Sequence, residues 1–306
     1  MNEIVLFFRV NQHCNARCFM CDFWKNSRME VSEIQLDRML DQGKYLRLIR
    51  FTGGEPLLCQ NLERYIEKCH QRMIRTSVIT NGILLNERLA QLVRSGLDQI
   101  IVSVDGSTPA VHDKLRGVKG LWEKIDNALV RIASEYPQLH TRVNTVVSEW
   151  NLMDLQNMPN WLDSRGVEQW SVIPIKRNIC WSDKITFQEF QNNYILFQKA
   201  VLKCRVKPMG YSANWAEDME AFWRGEYRIR PMGYCHLTRR VIFYDPFTER
   251  TYPCNCIPHR ADPFKNIDKE ADWYYLHGKD FCKGCEPLNA WCSDYPEKME
   301  ESILCF

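Results

Sequence analysis

Short apolar runs recur along the first two thirds of the chain, separated by longer stretches with helical spacing. The runs are IVLFFRV (4–10), LRLIRF (46–51), RTSVIT (75–80), QIIVSV (99–104), TRVNTVV (141–147) and EQWSVIPI (168–175). Each has strand length and is rich in residues that pack well on a pleated surface. Between them, VSEIQLDRMLDQG (31–43) opens on a Ser-x-x-Gln capping box at Ser32 and Gln35 and stops at Gly43. NERLAQLVRSG (86–96) keeps its leucines and valine on one face and ends at Gly96, and the spacing predicts further helices over 121–135, 152–165 and 186–204. About six strand–helix units in succession predict an α/β fold with a parallel sheet, open and doubly wound or curled into a barrel. Either way, the chemistry gathers at the carboxyl ends of the strands. Past residue 206 the alternation fades into irregular text rich in Cys, Pro and aromatics, so the chain divides into units at 1–205 and 206–306.

Composition narrows the classes. The 306 residues are 45% hydrophobic and 25% charged, an ordinary globular mix. Forty Lys and Arg against 38 Asp and Glu leave a net charge of +2, which gives no footing for binding nucleic acid through its phosphates. No early apolar run is long enough to span a bilayer, and the N-terminus lacks a signal-peptide layout, so a cytoplasmic location without membrane partners is expected. In that compartment the 14 cysteines need a use other than disulfides. Cys59, Cys69, Cys180 and Cys204 are isolated and read as buried packing residues. Cys14, Cys18 and Cys21 follow the first strand, and six more fall between Cys235 and Cys292.

The strand ends carry the chemistry. Strand one runs into HCNARCFMC, strand two ends in FTGGEP (51–56), strand three in ITNG (79–82) and strand four in VSVDG (102–106). Adjacent glycines let backbone approach a ligand closely, and a glutamate beside them suits a cationic group. Each of these short signals is by itself also a common turn. Three thiols on one loop make a poor structural zinc site, because closed tetrahedral zinc needs four ligands. Either a fourth protein ligand comes from elsewhere, or the position is left for something that is not protein.

C-x3-C-x2-C after strand one, GGEP after strand two and the run of strand–helix units resemble the radical S-adenosylmethionine (SAM) enzymes over about two thirds of the chain. The resemblance implies a partial (β/α)6 TIM barrel. It implies that Cys14, Cys18 and Cys21 bind three irons of a [4Fe–4S] cluster, whose fourth iron takes the amino and carboxylate groups of SAM. Reductive cleavage would then give a 5′-deoxyadenosyl radical that abstracts hydrogen from carbon, with the electron coming from a reductant such as flavodoxin or ferredoxin. By the same resemblance, Gly53, Gly54 and Glu55 hold the methionine amino group, and Ser103, Asp105 and Asn144 lie along the ribose. Arg116 meets the methionine carboxylate, and the backbone of Met20 meets adenine.

In the C-terminal part, VIFY-DPFTER-TYPC reads as a β-hairpin, and two separated thiol pairs suit a zinc ribbon as well as a cluster. Beside a radical SAM barrel the region resembles the Twitch and SPASM extensions, implying one auxiliary [4Fe–4S] cluster on Cys235, Cys254, Cys282 and Cys285. Position 249 is Glu where those extensions carry Gly. Cys256, two residues from a candidate ligand, is then a candidate hydrogen-atom donor. With no peptide-clamping segment ahead of strand one, a small substrate is expected. Carboxylates and tryptophans in NWAEDMEAFWRGEY (214–227) suit an amino sugar or an ordinary amphipathic helix. The leading expectation is epimerisation of a sugar or aminoglycoside carbon. Two-electron dehydrogenation of an aminocyclitol or sugar alcohol, peptide modification, and a zinc-ribbon binding protein without radical chemistry stand as alternatives.

Overall fold

The computed structural model describes residues 3–174, 186–206, 208–209, 241–252 and 266–281. Strand β1 (Ile4–Asn11) is followed by a long loop and helix α1 (Glu33–Gln42), then β2 (Leu46–Gly53), α2 (Leu62–Gln71), β3 (Arg75–Thr80), α3 (Leu85–Arg94) and β4 (Gln99–Ser103). Two helices, α4 (Pro109–Arg116) and α5 (Leu121–Glu135), lead to β5 (His140–Val147). Next come α6 (Met158–Ser164), β6 (Gln169–Pro174), α7 (Phe187–Lys203) and the short β7 (Pro208–Met209). The described C-terminal elements are β8 (Val241–Asp245), β9 (Arg250–Tyr252) and α8 (Ile267–Phe281).

The nine described strands join one sheet, in the order β7-β6-β5-β4-β3-β2-β1-β8-β9. Every neighbouring pair is parallel except the β8–β9 hairpin. The α/β fold and parallel sheet are as the sequence predicts, in a partial barrel-like arrangement. The six runs become β1 to β6 with shifts of one or two residues at their ends. The hairpin expected at 241–252 forms too, and β8 lies parallel to β1 in the main sheet, Val5 opposite Val241 and Phe8 opposite Tyr244.

Alternation along each strand sorts the residues into two faces. Outward positions such as Leu6, Phe8, Ile49, Phe51, Val78, Ile100, Val102 and Val143 pack under the helices and form the main core. Burying one such large side chain stabilises the fold by about 1.5–3 kcal/mol. Trp170 is fully buried on this side, and its indole N–H donates to Thr145 Oγ1 at 2.9 Å. The inner face holds a smaller apolar patch, with Val5, Phe7, Leu48 and Val241 at its centre.

Local signals account for several helix ends. Ser32 accepts from the Gln35 backbone while Gln35 Oε1 accepts from the Ser32 N–H at 3.0 Å, the capping box expected there. Helix α5 spans the predicted 121–135. The stretch 152–165 does not stay one helix: it starts as a single 3-10 turn and restarts as α6, with Pro159 in the first turn. Proline lacks the N–H an interior position needs, so it sits where a helix begins.

In the β8–β9 turn, Asp245 Oδ1 accepts from the Phe247 N–H at 3.1 Å, and Glu249 adopts φ = +50°. That left-handed backbone strains a residue with a Cβ and leaves glycine unstrained. Glu249→Gly is therefore expected to stabilise the protein by about 0.5 kcal/mol, after the extra chain entropy of glycine is subtracted. Urea unfolding should show a higher midpoint at unchanged slope.

Candidate active site

The carboxyl ends of β1, β2 and β3 are knotted together by side chains. Asn11, the last residue of β1, donates from Nδ2 to the carbonyl of Glu55 at 2.6 Å and accepts at Oδ1 from the Gly54 N–H at 3.1 Å. Glu55 N–H donates to the carbonyl of His13 at 2.9 Å, so the turn after β2 runs directly against the thiol loop. A Cβ on Gly54 would lie 2.0 Å from the His13 carbonyl oxygen, which is why this position must be glycine. The carboxylate of Glu55 is buried and accepts from Thr80 Oγ1 at 2.6 Å, the Asn81 N–H at 2.7 Å and the Leu57 N–H at 3.0 Å. Burial pushes its pKa up to about 7 against these donors.

The thiol loop hangs from that knot. Cys14 is half-buried, Cys18 buried and Cys21 exposed. Cys14 Sγ accepts from the Ala16 N–H at 3.4 Å and from Asn81 Nδ2 at 3.5 Å, and Asn81 Nδ2 also donates to Asn15 Oδ1 at 2.8 Å. The other side of the loop is latched to the end of α4: Arg17 N–H donates to the Arg116 carbonyl at 3.2 Å and Phe19 N–H to that of Leu115 at 3.3 Å. Gly117 ends α4 at φ = +65°, and a Cβ there would lie 2.4 Å from the Arg17 carbonyl oxygen. On the loop's flank, a cavity of about 620 Å³ is lined by His13, Cys14, Trp24, Arg28 and Glu30 among others.

Beneath Cys18 lies a buried ion pair. Arg116 Nε is 2.6 Å from Asp105 Oδ2, and its Nη1 reaches Cys18 Sγ at 3.9 Å. Asp105 Oδ1 accepts from the Val146 N–H at 2.8 Å, and its own N–H donates to His112 Nδ1 at 3.0 Å. His112 is fully buried, and burial with the Arg116 charge nearby lowers its pKa to about 3. Asp105 thus aims at Arg116, and Arg116 at Cys18. Ser103 and Asn144, half-buried, face each other as partners on β4 and β5. Met20 is half-buried in the thiol loop.

Of the residues expected from the sequence, the structure therefore gathers Cys14, Cys18, Gly54, Glu55, Asp105 and Arg116 into one hydrogen-bonded assembly, with Ser103 and Asn144 paired on adjacent strands. Cys235, Cys254, Cys256, Cys282 and Cys285, and the stretch 214–227, lie outside the described residues. Sequence reasoning did not single out Asn11, Asn81 or His112 for a role. Asn81 sat in view, in the TNG turn after β3, but nothing in a turn dipeptide says that its amide reaches a sulfur.

Residues 9–162 match the model of the radical SAM superfamily, and the chain belongs to that superfamily. It is 30% identical over 117 residues to a probable GTP 3′,8-cyclase of Thermococcus kodakarensis, a match covering 37% of this chain and 38% of that protein. It is 23% identical over 292 residues to the AdoMet-dependent heme synthase of Nitratidesulfovibrio vulgaris, covering 86% of this chain and 76% of that one. Its fold resembles that of Streptococcus suis SuiB bound to S-adenosylmethionine, with a TM-score of 0.66 at 14% identity, over 89% of this chain and 65% of that one.

Membership implies a [4Fe–4S] cluster and SAM, and the donor set fits the cluster. Burial pushes the Cys14 thiol up to about 11 and raises that of Cys18, with Cys18 and Cys21 each adding to the shift of the thiol before it. The thiols are thus electrostatic neighbours, yet among the described residues no three His, Cys, Asp or Glu close in on one ion. A cuboidal cluster meets each thiol at a separate iron, and three soft donors on one loop are the set it takes.

Two tests follow. Gly54→Ala is expected to displace the thiol loop and abolish iron loading during anoxic reconstitution, while far-UV circular dichroism stays near wild type. His112, at about 6.5 when unfolded and about 3 when folded, binds a proton more readily in the unfolded chain. Its contribution to stability is full above about pH 6.5 and lost as the pH falls toward 3. In His112→Asn, which keeps an acceptor for the Asp105 N–H, urea midpoints should fall less steeply over that window.

Proposed function

We propose that this chain cleaves SAM reductively at a [4Fe–4S] cluster held by Cys14, Cys18 and Cys21, and that it directs the radical at a C–H bond of an organic substrate. The observation that supports this most is the latched thiol loop, with polar donors from Asn81 and Arg116 set against two of its sulfurs. When bound, the cluster and SAM supply one electron and a 5′-deoxyadenosyl radical. The chain's own groups fix the geometry. Asn81 and the Ala16 N–H donate to Cys14, which tunes the sulfur toward easier reduction of what it holds. Asp105 locks Arg116 beside Cys18. Glu55 ties three strand ends, and so acts on the SAM site by positioning the Gly53–Gly54 backbone. Ser103 and Asn144 are assigned to the ribose, and the Met20 backbone to adenine.

The finer reading comes from the C-terminal sequence: epimerisation of a sugar or aminoglycoside carbon with Cys256 as donor, beside an auxiliary [4Fe–4S] cluster on Cys235, Cys254, Cys282 and Cys285. Its support is the spacing of those thiols, with Cys235 ahead of the hairpin at 241–252 and the other three after it; Glu249 departs from the glycine that those extensions carry. Dehydrogenation is the competing outcome. The relatives' names, a GTP cyclase and a heme synthase, describe neither reaction.

Anoxically reconstituted protein should carry about eight irons per chain if both clusters form and about four if only the first does. Adding SAM should change the electron paramagnetic resonance signal of the reduced cluster, and dithionite or a reduced flavodoxin should then release 5′-deoxyadenosine. Cys18→Ala is expected to remove both. Zinc in place of iron would discard the reading. With substrate in D₂O, an epimerase places deuterium at the inverted carbon and stalls in Cys256→Ala, whereas a dehydrogenase does neither.

A further inference from the structure

The inner face of the sheet carries a polar belt below the thiol loop. Arg50 on β2 and Arg142 on β5 are each 1% exposed, a degree of burial that arginine seldom reaches unless it is paired. Arg50 lies three residues before Gly53, so about 10 Å down the strand from the site just described. Its guanidinium sits 5.7 Å from the ring centre of Phe7, which belongs to the inner apolar patch and so places Arg50 in the interior of the curved sheet. Register carries the belt round: Arg50 pairs with Ser77, Ser77 with Gln99, Arg142 with Gln169, and Asn144 with Ser171. Arg142 Nε donates to Asn144 Oδ1 at 3.1 Å, linking the belt to a residue assigned to the SAM side.

Three buried oxygens in this belt find no hydrogen-bond partner among the described residues: Ser77 Oγ, Ser171 Oγ and Gln99 Oε1. All three residues are fully buried, and such orphaned atoms are rare in folded proteins unless an ion, a water or a ligand completes them. Burial also lowers the pKa of both arginines, that of Arg142 to about 10, and the charge of Arg142 further lowers that of Arg50. Two like charges buried near one another raise each other's energy, whatever further contacts each makes, and an oxyanion between them reverses the sign of that term.

We propose that this belt seats an oxyanion of the substrate, a phosphate or a carboxylate, between Arg50 and Arg142, with the Ser77 and Ser171 hydroxyls donating to it. A guanidinium fork matches either group with two parallel hydrogen bonds. Gln99 Oε1, an acceptor, suits a hydroxyl of the same molecule. The belt rests on the proposed function only in taking the interior of the sheet as the substrate chamber; it makes the substrate an anionic one.

Anion binding is read without turnover, on the full-length, anoxically reconstituted protein. Inorganic phosphate and acetate are titrated separately against chloride at equal ionic strength, by calorimetry and by thermal midpoint. Saturable binding of one anion per chain is expected, weakened about tenfold in Ser77→Ala/Ser171→Ala and in Arg142→Lys, which keeps the charge but loses the fork. Phosphate without acetate assigns a phosphoryl group, and acetate without phosphate a carboxylate. The double serine variant removes only two hydroxyls, so it stays informative if arginine variants fail to fold. No saturable binding, or equal binding in wild type and folded variants, overturns the belt. SAM cleavage with no anion binding removes the belt alone; anion binding without SAM cleavage removes the proposed function and leaves the belt standing.

Discussion

Glu55 puts a carboxylate where water cannot reach it and then surrounds it with donors from two turns. Thr80 and Asn81 approach from the end of β3 and Leu57 from its own turn, while its backbone is gripped by Asn11 and His13 from the end of β1. A buried carboxyl is unfavourable unless its oxygens are satisfied, so this knot holds only when all three strand ends are in register. That condition is what a three-thiol loop needs. A loop of this length has no regular backbone ladder of its own, and the rigidity of its sulfurs is borrowed from Asn81 on one side and from α4 on the other.

The same economy runs through Asp105 and Arg116. Eleven residues apart in sequence, they belong to different elements and meet under Cys18, with His112 filling the space behind. Each of the three would be an expensive burial alone; together the carboxylate neutralises the guanidinium, and the neutral imidazole accepts from the Asp105 N–H. Helix α4 is thereby tied to the end of β4 by charge and to the thiol loop by backbone.

Much of this was legible in the sequence, and the limits have physical causes. Strand runs were clear because β-branched residues cluster there, and the capping box at Ser32 and Gln35 marked α1 because it is a local hydrogen-bond pattern. Helices α2 and α4 were not seen: LERYIEKCHQ follows a turn that drew attention to itself, and PAVHDKLR is only eight residues long with a buried His and Arg in place of an apolar stripe. The thiol spacing pointed to the site. The partners of Glu55, Asp105 and Arg116 did not show, because a titratable residue beside a motif looks the same whether it will touch a ligand or another side chain. The inner belt was hidden for a related reason. Arg50 and Arg142 sit inside apolar runs, where a single arginine reads as a solvated interruption and not as a residue turned into the barrel.

The parallel pairing of β8 with β1 bears on how the protein is made. β1 leaves the ribosome ahead of the other described strands, yet its neighbour β8 lies about 235 residues later, where Arg9 meets Asp245 across the join. At 5–20 residues per second, that edge stays unpaired for roughly 10–50 s of synthesis. An apolar strand with open N–H and C=O groups is a template for any passing strand during that interval. The β1 edge is thus exposed until β8 emerges, which makes the hairpin at 241–252 a late-arriving cover for an early-made edge as much as an outer strand of the finished sheet.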